Sequence, residues 1–406
     1  MPESFEHILA QPTIFRDRNV LSPHYLPVNL PHREKEIEKI MRCLSPSLMN
    51  QKPRNLFLYG KTGTGKTSST KYVLERLAEM KSNVKTSYLN CRIYNSRYRV
   101  MYKVIQYLLP KFAKSGQSVS YFYEKLLDWI EEDGKHVIII LDEIDMIKDL
   151  DECLYTLTRS NDDLKTGSIS IIGISNKLSF KDALDPRSKS ALCETELIFS
   201  PYNSTQLNSI LAQRIQLGFK ENVVDDSAIS LAAAIAAQET GDARYALKLL
   251  LKAAEIVEDN SGTRVIDKHV ELARRSVDED IAAEAITTLP KHQQLVLYSI
   301  ANLHLHGSKY KTLTNGPEHF LLSGEVYESY VTNSKKFQKD PRSARWFREY
   351  LNDLEMLGLI TMIDSGKGQR GHTRFIKIAY SAEKVKYILE QNILGVEIQD
   401  NLQYIG

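Results

Sequence analysis

The stretch Gly60-Lys61-Thr62-Gly63-Thr64-Gly65-Lys66-Thr67 restricts what this chain can fold into more than any other. It follows the apolar run Asn55-Leu56-Phe57-Leu58-Tyr59 and opens a helix-compatible segment from Ser68 to Met80. The pattern G-x-x-x-x-G-K-[ST] between a strand and a helix is a P-loop. Its glycines let the backbone bend tightly and aim successive N–H groups at phosphate oxygens. Lys66 is then expected to reach the β- and γ-phosphates, and Thr67 to offer its hydroxyl to Mg2+. The helix that follows turns its positive end towards the anion. The expected cofactors are ATP or ADP with Mg2+.

A chain of 406 residues is too long for one compact core and predicts two or three domains. With 42% hydrophobic and 26% charged residues, it is neither disordered nor fibrous. A formal charge of +2 supplies no global attraction to nucleic acid, so a DNA-binding surface has to come from local clusters of Lys and Arg. Cys43, Cys91, Cys153 and Cys193 form no C-x-x-C pair, which argues against a zinc site or a disulfide framework. Met1 to His7 lacks a basic flank followed by an apolar core, and no apolar run approaches membrane-spanning length. A cytoplasmic protein in a reducing compartment, with no membrane partner, is expected.

Residues 1–31 show no helical period and read as an extended arm whose Ile14, Phe15, Val20, Leu21 and Tyr25 need cover. An amphipathic helix follows, with Ile37, Ile40, Met41 and Leu44 on one face, and Leu30-Pro31-His32-Arg33 at its start is expected to line a base pocket. Beyond the P-loop helix, Thr86 to Asn90 reads as a strand. Arg97 to Leu109 and Tyr121 to Glu132 read as helices, either an interrupted crossover or an insertion that touches DNA. The run Val137-Ile138-Ile139-Ile140-Leu141-Asp142-Glu143-Ile144-Asp145 fits a central parallel strand buried on both faces. Ligands bind at the C-terminal ends of such strands. Asp142 would therefore hold the Mg2+ hydration shell and Glu143 would polarise the attacking water. Ile169 to Ile174 is a further strand that presents Asn176 at the same edge, to position that water or sense the γ-phosphate. Arg187, in Asp185-Pro186-Arg187-Ser188-Lys189, reads either as a finger for a neighbouring subunit's ATP or as a solvated surface residue.

After Glu196-Leu197-Ile198-Phe199 strands vanish, and amphipathic helices over 205–217, 226–238, 242–258 and 267–275 suggest a helical lid. Arg244 sits in a first helical turn, against the helix dipole, which suits a residue reaching down to a phosphate. From 287 onward come helices at 292–304, 324–332 and 343–357, the last stopped by Gly358. A glycine-rich basic hairpin then lies between Leu359–Ile363 and Thr373–Ile378, and three helices with a hairpin make a winged helix. Arg342, Arg345 and Arg348 suit phosphate and base-edge contacts in a major groove. Lys367, Gln369, Arg370 and Arg374 suit a wing on the adjacent backbone or minor groove. A winged helix used for protein contacts is the alternative.

With these units in place the sequence resembles the archaeal replication-initiator family related to the origin recognition complex and the Cdc-type loaders, within the AAA+ superfamily. The resemblance rests on Leu30-Pro31-His32-Arg33-Glu34, Leu141-Asp142-Glu143-Ile144-Asp145, Leu184-Asp185-Pro186-Arg187, Gly241-Asp242-Ala243-Arg244 and Leu354-Glu355-Met356-Leu357-Gly358-Leu359-Ile360. It implies an α/β P-loop sheet domain at 1–200, a helical lid at 201–286 and a winged-helix DNA-binding domain at 287–406. It makes Asn176 similar to sensor 1, Arg244 to sensor 2 and Arg187 to the trans-acting finger, and the segment around 92–123 similar to an insertion that contacts origin DNA. It also implies a slow, regulatory ATPase that binds double-stranded origin DNA, other initiator subunits and a replicative helicase, on the nucleoid. A clamp-loader-like motor and a P-loop transcription regulator remain the alternatives.

Overall fold

The computed structural model describes residues 13–23, 25–80, 82–307, 320–364 and 374–402, with the side chains at 178, 179, 183, 364 and 393–402 left aside. The chain divides into two compact units, Met1–Ala273 and Arg274–Gly406.

The first unit grows from the apolar runs read in the sequence. They become β1 (Leu56–Tyr59), β2 (Val84–Asn90), β3 (His136–Asp142), β4 (Ser168–Ser175) and β5 (Thr195–Ile198). All pair in parallel, in the order β2-β3-β4-β1-β5. Every residue of β1, β3 and β4 is buried, as expected for strands covered by helices on both faces. Those helices are α1 (Glu34–Leu44), α2 (Lys66–Glu79), α3 (Arg97–Leu108), α4 (Val119–Asp133), α5 (Leu150–Asp163) and the short α6 (Pro186–Leu192). One core face gathers Phe57, Val104, Phe122, Ile139 and Leu154, and the other gathers Ile40, Leu58, Val73, Ile140 and Phe199. Strand register then sets the functional edge. Tyr59 pairs with Ser175, and Asp142 with Ile174. The P-loop, the residues after Asp142 and Asn176 thus leave the sheet at one level.

The lid completes this unit with α7 (Ser204–Gly218), α8 (Asp226–Glu239), α9 (Ala243–Asp259) and the beginning of α10 (Asp267–Thr288). Asn203 and Gln206 form a capping box that starts α7 where the chain leaves β5. The described part of the arm lies on the lid. Phe15 bridges to Phe219, with the two rings 5.0 Å apart, and Ile14, Val20 and Leu21 are buried. Ile14 N–H donates to the Glu258 carboxylate at 3.0 Å, Arg16 N–H donates to Gly218 O at 2.8 Å, and Arg18 pairs with Glu255.

The second unit holds α11 (Lys291–His306), β6 (Leu321–Leu322), α12 (Ser323–Lys336), α13 (Ala344–Met356), β7 (Ile360–Asp364), β8 (Arg374–Ile378) and α14 (Ala382–Leu402). Its antiparallel sheet runs β6-β8-β7. Val296, Ile300, Tyr330, Phe347, Leu351, Ile376 and Leu389 share the core. The expected winged helix is present, with two elements the sequence reading left out, β6 and α14. Helix α5 is likewise additional, and α10 runs on to Thr288 where the expected helix stopped at Arg275. Among the described residues no helix is long and apolar enough to cross a membrane.

Phe15 is 6% exposed and closes one side of the lid. Phe15→Ala should cost about 3 kcal/mol of unfolding free energy, read as a lower denaturant midpoint at unchanged m-value.

Candidate functional site

A cavity of about 510 Å3 opens at the C-terminal edge of the parallel sheet, bordered by Gly63 to Ser68, Lys71, Tyr88, Asn90, Asp142, Glu143, Asn176 and, from the lid, Ile210, Gln213, Arg214, Arg244 and Leu247. Tyr25, Leu26, Pro27, Leu30 and Pro31 of the arm complete its wall. The sheet, lid and arm thus meet around one volume.

The loop bends as its glycines require. Gly63 has φ +65°, and a Cβ built on it would lie 1.6 Å from the Asp242 carboxylate oxygen. Asp242 caps α9 by accepting from Arg244 N–H at 2.6 Å, and Ala243 N–H donates to Gly63 O at 3.2 Å. The lid helix therefore begins directly against the loop, with Arg244 over the cavity. The Lys66 ammonium is buried and donates to Gly60 O at 2.8 Å and Lys61 O at 2.7 Å, while Lys61 and Thr62 are exposed. Burial pulls its pKa down to about 8, against the stabilising charge of Asp142.

Thr67 and Asp142, both expected to serve Mg2+, lie side by side, with the hydroxyl donating to Oδ2 at 2.8 Å. Tyr88, which the sequence reading did not single out, donates to the same Oδ2 at 2.5 Å. Burial, then the Asp142 charge, push the Tyr88 phenol up, so it stays a hydrogen-bond donor. One carboxylate beside one hydroxyl suits Mg2+, which takes few protein ligands and keeps water and phosphate oxygens for the rest. Among the described residues no group of three or more His, Cys, Asp or Glu side chains is placed to hold a metal.

Glu143 departs from helical or strand geometry, with φ 56° and ψ 46°. Its carboxylate accepts from Arg92 Nε at 2.8 Å, a second partner absent from the sequence reading. Arg92 follows β2 in a loop and carries no motif of its own. Beside it, Asp145 accepts from Ser175 Oγ at 2.9 Å and pairs with Lys177 at 3.3 Å, which fixes the turn carrying Asn176.

Two expected base-pocket residues are corrected. Leu30 and Pro31 border the cavity, but His32 and Arg33 do not. The His32 ring meets Ser209 Oγ of the lid at 2.5 Å. Arg33, 3% exposed, donates to Thr64 O at 2.8 Å and to Ser200 O at 2.6 Å, and lies 3.9 Å from the Tyr202 ring centroid. A guanidinium fork matches two carbonyls at once, so packing against the loop wins over exposure to a ligand. Arg187 is exposed on α6 and does not border this chain's cavity.

In the second unit, Arg342, Arg345 and Arg348 are all exposed around the start of α13. The chain entering that helix is held at both backbone atoms of Arg342. Its N–H donates to the Tyr330 hydroxyl at 3.0 Å, and its carbonyl accepts from the Tyr327 hydroxyl at 3.2 Å. Arg374 Nη1 donates to Asn352 Oδ1 at 2.9 Å, joining the base of the hairpin to α13. Lys367, Gln369 and Arg370 lie outside the described residues. In the first unit α3 and α4 pack through Tyr98, Tyr102 and Phe122, with ring centroids 5.8 to 6.2 Å apart, and Tyr107 stands 66% exposed.

Comparison with known families matches three consecutive models, an AAA domain at residues 49–179, a Cdc6 AAA+ ATPase-type lid domain at 208–275 and a CDC6 C-terminal winged helix domain at 284–388. ORC1-type DNA replication protein 1 of Archaeoglobus fulgidus is 40% identical, over 96% of this chain and 93% of its own length. The ORC1-type DNA replication protein of Pyrococcus furiosus is 38% identical, over 96% and 93%. The solved Aeropyrum pernix ORC1 protein, in complex with DNA, is 36% identical with a TM-score of 0.78, over 95% of this chain and 99% of that one. Cdc6p from Pyrobaculum aerophilum, at 24% identity and a TM-score of 0.58, shares the fold over 95% and 100%.

Two outcomes are expected from this geometry. A phosphate chain that reached Lys66 would meet it as an ammonium, and below its pKa that charge is already present. Above pH 8 each binding event has to take up a proton, so nucleotide affinity measured by calorimetry should be flat at lower pH and then fall by up to about tenfold per pH unit. Arg33→Ala leaves the buried Thr64 carbonyl and the part-buried Ser200 carbonyl without this donor and should destabilise the first unit by about 2–4 kcal/mol, measured by denaturant unfolding.

Proposed function

Because the chain belongs to the ORC1/Cdc6-type family of DNA replication initiators, within the AAA+ ATPases, we propose that it is an origin-binding switch set by ATP. The observation that carries this reading is that lid residue Arg244 borders the same cavity as Lys66, Asp142 and Asn176 of the sheet domain. A bound γ-phosphate would give lid and sheet a shared partner, and its loss would release one from the other. The assignment takes residues 1–200 as the sheet domain with its arm, 201–286 as the lid and 287–406 as the winged helix.

In this reading the loop from Gly60 to Thr67 cradles the phosphates, Lys66 neutralises the β- and γ-oxygens, and Thr67 and Asp142 hold Mg2+. Mg2+ bound there supplies Lewis-acid charge to the phosphates. Glu143 orients the attacking water, Asn176 and Arg244 sense the γ-phosphate, and Arg187 serves the cavity of a neighbouring copy. The ion pair from Arg92 supports slow turnover, because a carboxylate held by a guanidinium has to leave that partner before it can orient a water. Slow turnover in turn separates a switch from a motor. Tyr88 holds Asp142 from below and leaves Oδ1 to accept Glu143 N–H at 3.0 Å.

On the winged helix, Arg342, Arg345 and Arg348 contact phosphates and base edges of double-stranded origin DNA, with Lys367, Gln369, Arg370 and Arg374 on the adjacent backbone. The aromatic and basic face of α3 and α4 supplies a second DNA contact. The solved Aeropyrum pernix relative in complex with DNA supports DNA as the partner. Association with further initiator subunits, recruitment of the replicative helicase and a place on the nucleoid in the cytoplasm complete the reading, and they rest on the family alone.

Genome-wide binding maps test the whole reading, and sites away from replication origins would overturn it. At the catalytic site, Glu143→Gln should bind ATP normally and turn it over at least about a hundredfold more slowly. Arg92→Ala should raise kcat several-fold at unchanged KM in a steady-state ATPase assay. Arg345→Ala should weaken DNA binding and reduce the slope of log K against log salt by about 1.

A further inference from the structure

Among the described residues of the winged helix, Trp346 is an aromatic side chain that neither the core nor the contacts above employ. Trp346 lies in the first turn of α13 and is 53% exposed, whereas its neighbour Phe347 is 3% exposed and packs on Tyr327 and Tyr330. The helical period explains the split, since Phe347, Leu351 and Leu354 share the inward face. Trp346 belongs to the next stripe with Tyr350, on the side of the exposed arginines.

The indole is positioned before any partner arrives. Its ring lies 6.3 Å from that of Tyr350 at a 30° tilt, and Tyr350 in turn lies parallel to His292 at 6.3 Å. His292 Nδ1 is hydrogen-bonded to the Tyr330 hydroxyl at 2.9 Å, the same hydroxyl that accepts Arg342 N–H. A chain of contacts thus runs from the buried core through His292 and Tyr350 to the surface indole. Less side-chain freedom is lost when such a group binds.

We propose that Trp346 reads thymine in the major groove through the C5-methyl group. This rests on the reading that α13 enters duplex DNA. Residues in the first turn of a recognition helix face base edges. On the floor of the major groove nearly every group is a polar donor or acceptor, and the thymine methyl is the apolar exception. An indole held among Arg342, Arg345 and Arg348 has that methyl as its matching contact, while the arginines meet phosphates and guanine edges. Specificity for thymine at one or two positions follows from a residue that makes no hydrogen bond to a base.

The test keeps the protein intact and alters the DNA. Duplexes selected from a random-sequence pool by the full-length chain are footprinted, and every thymine in the protected segment is replaced by deoxyuridine, which removes the methyls and keeps pairing and charge. The wild-type chain is expected to lose roughly fourfold in affinity per contacted methyl. Trp346→Ala should bind the thymine duplex with a loss of similar size and become indifferent to deoxyuridine. Arg345→Ala should bind more weakly yet keep the deoxyuridine penalty. Equal wild-type affinity for both duplexes, or a full penalty retained by Trp346→Ala, overturns the thymine contact alone. If replacement of Arg345 and Arg348 together also leaves affinity unchanged, α13 does not engage DNA, and both the contact and the reading beneath it fall.

Discussion

The geometry of the first unit depends on one buried cation. Arg33 brings together a P-loop carbonyl, the carbonyl at the exit from β5, the carboxylate of Glu36 at 3.3 Å and the ring of Tyr202. Removing a guanidinium from water is costly unless most of its donors are satisfied, and here they reach several segments distant in sequence. The consequence is positional. Thr64 cannot shift without stranding a charge, and Tyr202, whose N–H donates to Gly241 O at 3.0 Å, passes that restraint to the turn that starts α9. The phosphate loop and the lid helix are therefore indexed to each other before any ligand acts on them.

Much of this was legible in the sequence because it is written locally. The P-loop is a contiguous pattern whose glycines and lysine act where they stand, and a β-branched run ending in Asp142 and Glu143 predicts both a buried strand and its functional edge. Parallel register then aligned that edge without further information. The role of Arg33 was not legible, since its partners lie 31 and 167 residues away. Tyr88 and Arg92 escaped for the same reason, reaching Asp142 and Glu143 across 54 and 51 residues. Tyr88 sits within β2 and Arg92 just beyond it, with no distinguishing pattern, and only the pairing of β2 with β3 turns them towards the carboxylates.

The second unit shows what periodicity can and cannot separate. Trp346 and Phe347 are adjacent aromatics with similar preferences for burial, yet one step of about 100° around the helix sends them to opposite environments. The sequence marks the helix and its basic character, and the spacing of Phe347 with Leu351 and Leu354 is what turns that ring inward. The structure adds Tyr330, a fully buried side chain that supports Phe347 on one side and orders the approach to α13 on the other. Helix α14 carries Ala382, Val385 and Leu389 at ordinary helical spacing, and this face packs on α11.

The arm has a consequence for how the chain reaches this state. Ile14 is bonded to Glu258 across 244 residues, and the segment between them contains the whole parallel sheet. During synthesis the arm is made long before the lid surface it covers, so its Phe15 and Leu21 stay without cover until α9 has emerged. Such a distant pairing adds contact order and slows the final step of folding. An interval with exposed apolar side chains also favours premature association between nascent chains. The strap that finishes the lid is thus also the segment whose protection comes latest.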